Sequence, residues 1–388
     1  MKRTKTILVG ITAVVAAAGV GFAVLPAVAD ALSDTKGNGS NGSTGSAEGA
    51  GKAEDAGKAG STGKVEGTEG AEGGGSAGAA GGTGGAGGHG SHAGHGAGEA
   101  VSAAGLDAAG KAKAWYFVAS LNGANEVPVA GGPAVGDRDG RALQFVKVQG
   151  DTVSVAMKFR GVAKPTALHI HQGKRGTNGG VKVDFTPLLS RVTSLNGWTG
   201  AVTGSVKVRD AALLKSFVGD PNGFYANLHT AEFPGGAVRA QYHQVTQGLT
   251  FSKALENFQA SVVEGQQIYA CERGTNGTWS FQQRDVTARL GGHIGHSFVA
   301  PGSGTPQWIA PDRSAVTGSL VSSVDNGSRN IPELDLKATR SGRGAGLLAT
   351  SHEILRLNTV GGVAPEGGCA KGATARVAYG ADYVFIQK

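Results

Sequence analysis

Beyond Ala114, apolar and polar residues alternate at every second position in short runs separated by turn residues, the period of half-buried β-strands. The runs fall at 115–121, 142–148, 152–159, 167–171, 201–208, 225–229 and 237–242, and Gly150-Asp151 and Asp220-Pro221-Asn222-Gly223 punctuate them. One short helix is predicted, capped by Asp210 and running through Val218. Regularly spaced short strands without long helices point to an antiparallel sandwich or barrel. After a polar join at 244–250 a second β-rich region runs to the C-terminus. The expected fold class is all-β, with two antiparallel sandwich- or barrel-like domains at 115–245 and 249–388. The join contains no long apolar run, so each domain is expected to own its core and to fold by itself.

Within this pattern, Thr166-Ala167-Leu168-His169-Ile170-His171-Gln172-Gly173 places two histidines one residue apart in a β-prone run. Alternate side chains of a strand share a face, so His169 and His171 point one way while Leu168 and Ile170 enter a core. The segment Phe224-Tyr225-Ala226-Asn227-Leu228-His229-Thr230 repeats the scheme, with Tyr225, Asn227 and His229 on its polar face. If the two strands are neighbours, three imidazoles meet on the outer face of the first domain. Such a group suits copper or zinc, and binding is expected to fade as pH falls through the imidazole range near 6.5. The competing reading is that these histidines only hydrogen-bond neighbouring strands, Asn227, or the segment of Arg239 and Gln241.

The N-terminal part is of another kind. Lys2, Arg3 and Lys5 precede an apolar run from Ile7 to Leu25, and Ala27-Val28-Ala29 supplies small residues at signal-peptidase spacing. Residues 1–29 are expected to be a secretory signal, with an uncleaved signal anchor at the cell surface as the alternative. No later segment is apolar enough to span a membrane. From Asp30 to Ala114 there is no Phe, Trp or Tyr, and many of the 68 glycines lie here. A segment with so little to bury cannot offset its ordering entropy, so 30–114 is expected to be a disordered linker spanning roughly 50 Å r.m.s.. Gly82-Thr83-Gly84-Gly85-Ala86-Gly87 and Gly74-Gly75-Ser76-Ala77-Gly78 fit nucleotide and hydrolase motifs but lack the flanking strand and helix, so composition explains them. His89, His92 and His95 form a second, weaker metal candidate on this segment.

Four motifs in order carry a family resemblance: Leu121-Asn122-Gly123-Ala124-Asn125-Glu126-Val127-Pro128, the His169-Ile170-His171-Gln172-Gly173 core, Asn227-Leu228-His229-Thr230, and Phe233-Pro234-Gly235-Gly236-Ala237-Val238-Arg239-Ala240-Gln241. With them, residues 115–243 resemble the CHRD domain, named after repeats in chordin. The resemblance implies an extracellular β-sandwich-like fold and no established activity. Residues 249–388 resemble a secreted family of unknown function, DUF3455, through Gly265-Gln266-Gln267-Ile268-Tyr269-Ala270-Cys271, Pro306-Gln307-Trp308, Leu355-Arg356-Leu357-Asn358-Thr359-Val360-Gly361-Gly362 and Cys369. Asp312-Arg313-Ser314 stands where that family suggests Asp-Gly-Ser, so a different turn is expected there. A dehydrogenase label sometimes given to this family requires βαβ units with a glycine turn, and the sequence pattern contains none.

Charge and chemistry narrow the function classes. The segment 30–114 carries −4 and residues 115–388 carry +8. A basic body on an acidic tether fits weak adhesion to an anionic cell-wall polymer or to another extracellular protein. Nucleic acid is excluded as a partner, because the basic residues do not cluster with stacking aromatics and the signal directs the chain away from it. No nucleophile–base arrangement for catalysis stands out; Glu126, Asp137, Asp139 and Glu232 are carboxylates that a cleft would have to gather. A superoxide dismutase-like oxidoreductase is the least favoured reading: His-x-His on a β-strand matches its copper ligands, but no histidine lies between Gln172 and Leu228 to bridge a second metal. His293, His296 and His352 lack carboxylate or cysteine companions at ligand spacing and are expected to be structural or surface histidines. Cys271 and Cys369, an even pair in an exported chain, are expected to form a disulfide. Sequencing of the exported protein is expected to begin at Asp30; recovery of Met1 in a membrane fraction would establish the signal anchor instead.

Overall fold

The computed structural model describes residues 112–388. The signal, the linker up to residue 111 and His89, His92 and His95 lie outside the described residues.

The first domain contains β1 (Ala114–Asn122), β2 (Arg141–Gln149), β3 (Thr152–Arg160), β4 (Pro165–Gln172), β5 (Val181–Asp184), β6 (Thr193–Leu195), β7 (Trp198–Lys207), α1 (Ala211–Gly219), β8 (Phe224–Thr230), β9 (Val238–Gln241) and β10 (His243–Gln244). All seven predicted strands form. So does the helix, whose first turn is capped by the Asp210 carboxylate accepting from the Leu213 N–H at 2.9 Å. The strands make one ten-stranded antiparallel sheet in the order β5-β4-β8-β9-β1-β2-β3-β7-β6, with β10 paired to β1. The domain is thus a single sheet curled into a half-barrel rather than two stacked sheets. Its concave side is closed by α1, whose Phe217 ring lies 4.6 Å from Phe117, 5.2 Å from Phe224 and 5.1 Å from Tyr242. The short strands β5 and β6 were not visible in the apolar pattern because most of their side chains are solvent-exposed.

The second domain is a closed antiparallel barrel of β11 (Phe258–Arg273), β12 (Trp279–Leu290), β13 (Gly295–Phe298), β14 (Pro306–Ile309), β15 (Ala315–Val324), β16 (Glu333–Arg340), β17 (Ser351–Gly361) and β18 (Thr374–Gln387). Side chains alternate inward and outward along each barrel strand. On β18, Tyr379, Ala381, Tyr383 and Phe385 enter the barrel core, while Val384 and Ile386 face away from it. Cys271 and Cys369 are joined as expected, tying β11 to the loop before β18. The Asp312-Arg313-Ser314 turn does not rearrange to suit its arginine. Arg313 adopts the left-handed conformation (φ 66°) in which glycine is at ease, and Asp312 holds the turn by accepting from the Ser314 N–H at 2.8 Å and the Leu347 N–H at 2.7 Å.

Each domain owns a core, as expected, but a third hydrophobic cluster joins the two domains where the polar join predicted no apolar contact. Val118, Leu143, Phe145 and Ala156, on the convex face of β1–β3, pack with Leu355, Leu357, Val384 and Ile386 on the outer face of the barrel, and Val245 and Leu249 of the join with Ala254 just beyond it complete the cluster. The signal for it was in the strands, not the join: β1–β3 are apolar on both faces, as sheets covered on both sides require. Truncating Leu355, which is 1% exposed, to Ala is expected to cost about 2–5 kcal/mol. Calorimetry should show both domains melting together at a lower temperature. Residues 115–245 and 249–388 expressed separately should aggregate through the uncovered faces; two unperturbed, independent transitions would contradict the shared core.

Candidate metal centre

Strands β4 and β8 are neighbours, paired so that Ala167 lies opposite His229, His169 opposite Asn227 and His171 opposite Tyr225. Leu168, Ile170, Phe224, Ala226 and Leu228 enter the concave core, so the alternation turns all three histidines to the convex side. One ring nitrogen from each of His169, His171 and His229 lies within 4.8 Å of the other two. The closest pair is His169 Nδ1 and His229 Nε2 at 3.3 Å.

The opposite ring nitrogens show which lone pairs are available. His171 Nδ1 is 2.9 Å from the Gly179 carbonyl and His229 Nδ1 is 3.0 Å from the Pro234 carbonyl. A carbonyl can only accept, so both Nδ1 atoms carry the proton and both Nε2 atoms present lone pairs. The buried His171 Nε2 has no hydrogen-bond partner. His169 Nε2 lies 3.5 Å from a carboxylate oxygen of Asp184 and 3.3 Å from the Thr186 hydroxyl. With His229 Nε2 a lone pair, the 3.3 Å contact is a hydrogen bond donated by His169 Nδ1, whose Nε2 then accepts from Thr186; the other tautomer carries the proton on Nε2, facing Asp184, and turns the Nδ1 lone pair toward His229. In that second tautomer three lone pairs converge, each with an acceptor on the far side of its ring, the arrangement that orients imidazoles for a metal.

The cluster is more enclosed than an outer sheet face implies, because the 173–180 loop folds over it and leaves His171 only 8% exposed. Gly179 fits there only because it lacks a side chain, since a Cβ would collide with the Gln172 carbonyl. His171 also stacks on Tyr225 with ring centroids 4.8 Å apart. Arg239 fastens the loop: its guanidinium covers the Tyr225 ring at 3.4 Å and donates to Asn178 Oδ1 at 2.9 Å and the Thr177 carbonyl at 2.6 Å. Gln241 adds a bond to the Gly173 carbonyl at 2.9 Å. Arg239 and Gln241 therefore hold the loop and not the histidines.

Burial disfavours the imidazolium form throughout the cluster. It pushes His171 down to about 4, with the neighbouring His169, His229 and Arg239 adding to the effect against the Gly179 hydrogen bond. His229 is lowered by burial, and His169 by burial and then by His229. All three are neutral at pH 7 and able to donate their lone pairs.

Among the other candidates, Asp137, Asp139 and Glu232 line an open cleft on the first domain. Glu126 stands apart from them, its carboxyl pushed up to about 8 by burial despite Arg239 and a hydrogen bond from Asn227. His293 is exposed, His296 is inside the barrel, and His352 donates from Nε2 to the Gly248 carbonyl at 2.9 Å. Among the described residues, His169, His171 and His229 are the histidines brought together. The sequence did not disclose the supporting partners. Asp184 and Thr186 belong to the unrecognised edge strand and its exit, and the carbonyls of Gly179 and Pro234 have no side-chain signature.

Residues 117–242 match the family model described as CHRD domain, and residues 289–387 match the model described as Protein of unknown function (DUF3455). The first match contains the histidine cluster, and the second covers the barrel from the end of β12 onward. No curated protein and no solved structure matches the chain. The half-barrel that carries the three histidines is thus a CHRD domain, and in this chain it is followed by a DUF3455 domain that supplies the barrel from the end of β12 onward.

Proposed function

We propose that this is an extracellular two-module protein whose CHRD domain binds a divalent transition metal, copper or zinc, through His169 Nδ1, His171 Nε2 and His229 Nε2. The observation that carries the reading is the convergence of three imidazole nitrogens within 4.8 Å of one another, with the opposite nitrogens of His171 and His229 fixed by carbonyls. Metal–nitrogen bonds of about 2.0–2.1 Å at a tetrahedral angle set ligand nitrogens roughly 3.3–3.4 Å apart. The 3.3 Å between His169 and His229 already meets that spacing, and the His171 nitrogen, within 4.8 Å of the other two, closes the remaining gap on binding. An all-imidazole donor set favours these borderline ions over magnesium or calcium, which prefer oxygen. The CHRD match and the Cys271–Cys369 disulfide support an oxidising, extracellular setting.

Because the two domains share a core, the test uses the full chain, with His89, His92 and His95 replaced by Ala to silence the N-terminal segment. Calorimetric titration with Cu²⁺ and Zn²⁺ is expected to give one site per chain, and affinity should fall at least about 100-fold in His171→Ala and in His229→Ala. Titrations indistinguishable from those variants would leave the histidines as hydrogen-bonding residues of the sheet.

The pH dependence follows from the lowered imidazole values. Protons compete with a metal only where the free ligand is protonated, and all three ligands resist protonation below the ordinary 6.5. Affinity is therefore expected to hold down through the ordinary imidazole range near 6.5 and to be lost only below it, later than an exposed imidazole cluster would lose it. Affinity that fades with the midpoint of an exposed imidazole would contradict the enclosed site.

A further inference from the structure

The barrel is not filled at the end where β13–β16 meet. A cavity of about 460 Å³ opens there, within the size range of small-molecule sites. Its walls include Trp308, Phe298 and Tyr383, and its polar groups include Gln267, His296 and Arg356. Gln283 donates from Nε2 to Gln267 Oε1 at 2.6 Å, which occupies the oxygen of the Gln267 amide. The Gln267 Nε2 and the Trp308 Nε1 are both buried and have no hydrogen-bond acceptor, although each residue is only 1% exposed. An unsatisfied buried donor is costly, and both of these belong to residues that line the cavity, buried just behind its surface.

The charge in the cavity has one sign. Arg356 reaches it from β17, anchored by Nε and Nη2 donating to the Pro332 carbonyl at 3.2 and 2.8 Å. His296 stacks face to face on Trp308 at 4.5 Å and donates from Nδ1 to the Gln307 carbonyl at 2.9 Å. Burial keeps His296 neutral, pushing it down to about 4. Among the described residues lining the cavity there is no carboxylate. The nearby Asp285 has one oxygen occupied by the Val286 and Phe298 N–H groups. The site therefore offers flat aromatic walls and one guanidinium, and its mouth is bordered by Gly304 and the 64% exposed Leu320.

We propose that the barrel interior is a binding site for a small aromatic carboxylate, whose ring packs on the Trp308, Phe298 and Tyr383 walls and whose oxygens accept from Arg356. A neutral aromatic satisfies the walls but not the guanidinium, and an aliphatic anion the reverse. The reading does not depend on the histidine cluster of the first domain.

The test titrates the full chain with 1-naphthoate and with its neutral counterpart 1-naphthalenemethanol by calorimetry. Wild type is expected to bind naphthoate at one saturable site and naphthalenemethanol at least tenfold more weakly. Arg356→Met should lower naphthoate affinity at least tenfold and leave naphthalenemethanol unchanged. Leu334→Trp, which fills the cavity from β16, should abolish both. Circular dichroism and the melting temperature establish that each variant is folded; if Leu334→Trp misfolds, Ser319→Trp at the mouth replaces it. Absence of saturable naphthoate binding to wild type, unchanged naphthoate affinity in folded Arg356→Met, or binding retained in a folded cavity-filled variant would each overturn the proposal.

Discussion

The covering of the convex face of β1–β3 by the barrel is the constraint on which the rest of the structure depends. A curled sheet has two faces, and α1 can close only the concave one. Val118, Leu143 and Phe145, each fully buried, would otherwise form the kind of exposed apolar patch that soluble monomers rarely keep. Around this apolar joint the polar groups are paired rather than abandoned. Ser120 Oγ donates to Asp382 Oδ2 at 2.9 Å, and Asn358 Nδ2 donates to the same oxygen at 2.7 Å and to the Ser120 carbonyl at 2.7 Å. Asn358 does this from a left-handed conformation (φ 51°), one that asparagine tolerates better than most residues. Lys158 is lowered to about 8, chiefly by burial, yet donates to the Leu255 and Asn257 carbonyls at 2.8 and 2.7 Å. Buried groups satisfied in this way fix one relative placement of the domains, because any slip would leave them unpaired.

The same joint reaches the histidine cluster. Arg175, on the loop that roofs His171, pairs with Glu333 of the barrel at 2.6 Å, and His243 approaches the other oxygen of Glu333 at 3.1 Å. Burial opposes ionisation of Glu333, but His243 and Arg175 outweigh it and hold its carboxyl below the usual range. The anion therefore persists as an anchor at neutral pH. Breaking such a pair by removing one partner strands a buried charge, which is why its loss costs more than its formation contributes. The barrel thus acts on the first domain at two levels: it covers the apolar back of the sheet, and it holds one end of the loop whose Gly179 carbonyl fixes the His171 tautomer.

Much of this was legible because it depends on period. The spacing of His169, His171 and His229 against Leu168, Ile170 and Leu228 assigned their faces, since a strand has only two. What the period cannot supply is the partner on each face. Whether the convex side meets water or another domain depends on β17 and β18, more than 200 residues away in sequence, so the polar join gave a misleading answer. Asp184 was missed because Val181–Asp184 is a short edge strand with three of its four residues exposed. Arg313 misled in the opposite direction. The unexpected residue suggested a new turn, yet the hydrogen bonds of Asp312 keep the left-handed geometry and the arginine bears the strain.

One physical effect, removal of water from an imidazole, serves different ends in the two domains. In both places burial suppresses the charged form, and in both the Nδ1 proton of the most shielded histidine is given to a backbone carbonyl, from His171 to Gly179 and from His296 to Gln307. The difference lies in what stands beside the ring. His171 has two further imidazoles facing it, so neutrality exposes lone pairs and makes an acceptor-rich point suited to a cation. His296 is stacked on Trp308 beside donors, so its neutrality removes a competing charge and leaves Arg356 as the cation of an apolar chamber suited to an anion. Desolvation by itself therefore does not define a site. The polarity of the neighbouring groups decides whether a neutral histidine binds a ligand or only forms part of its wall.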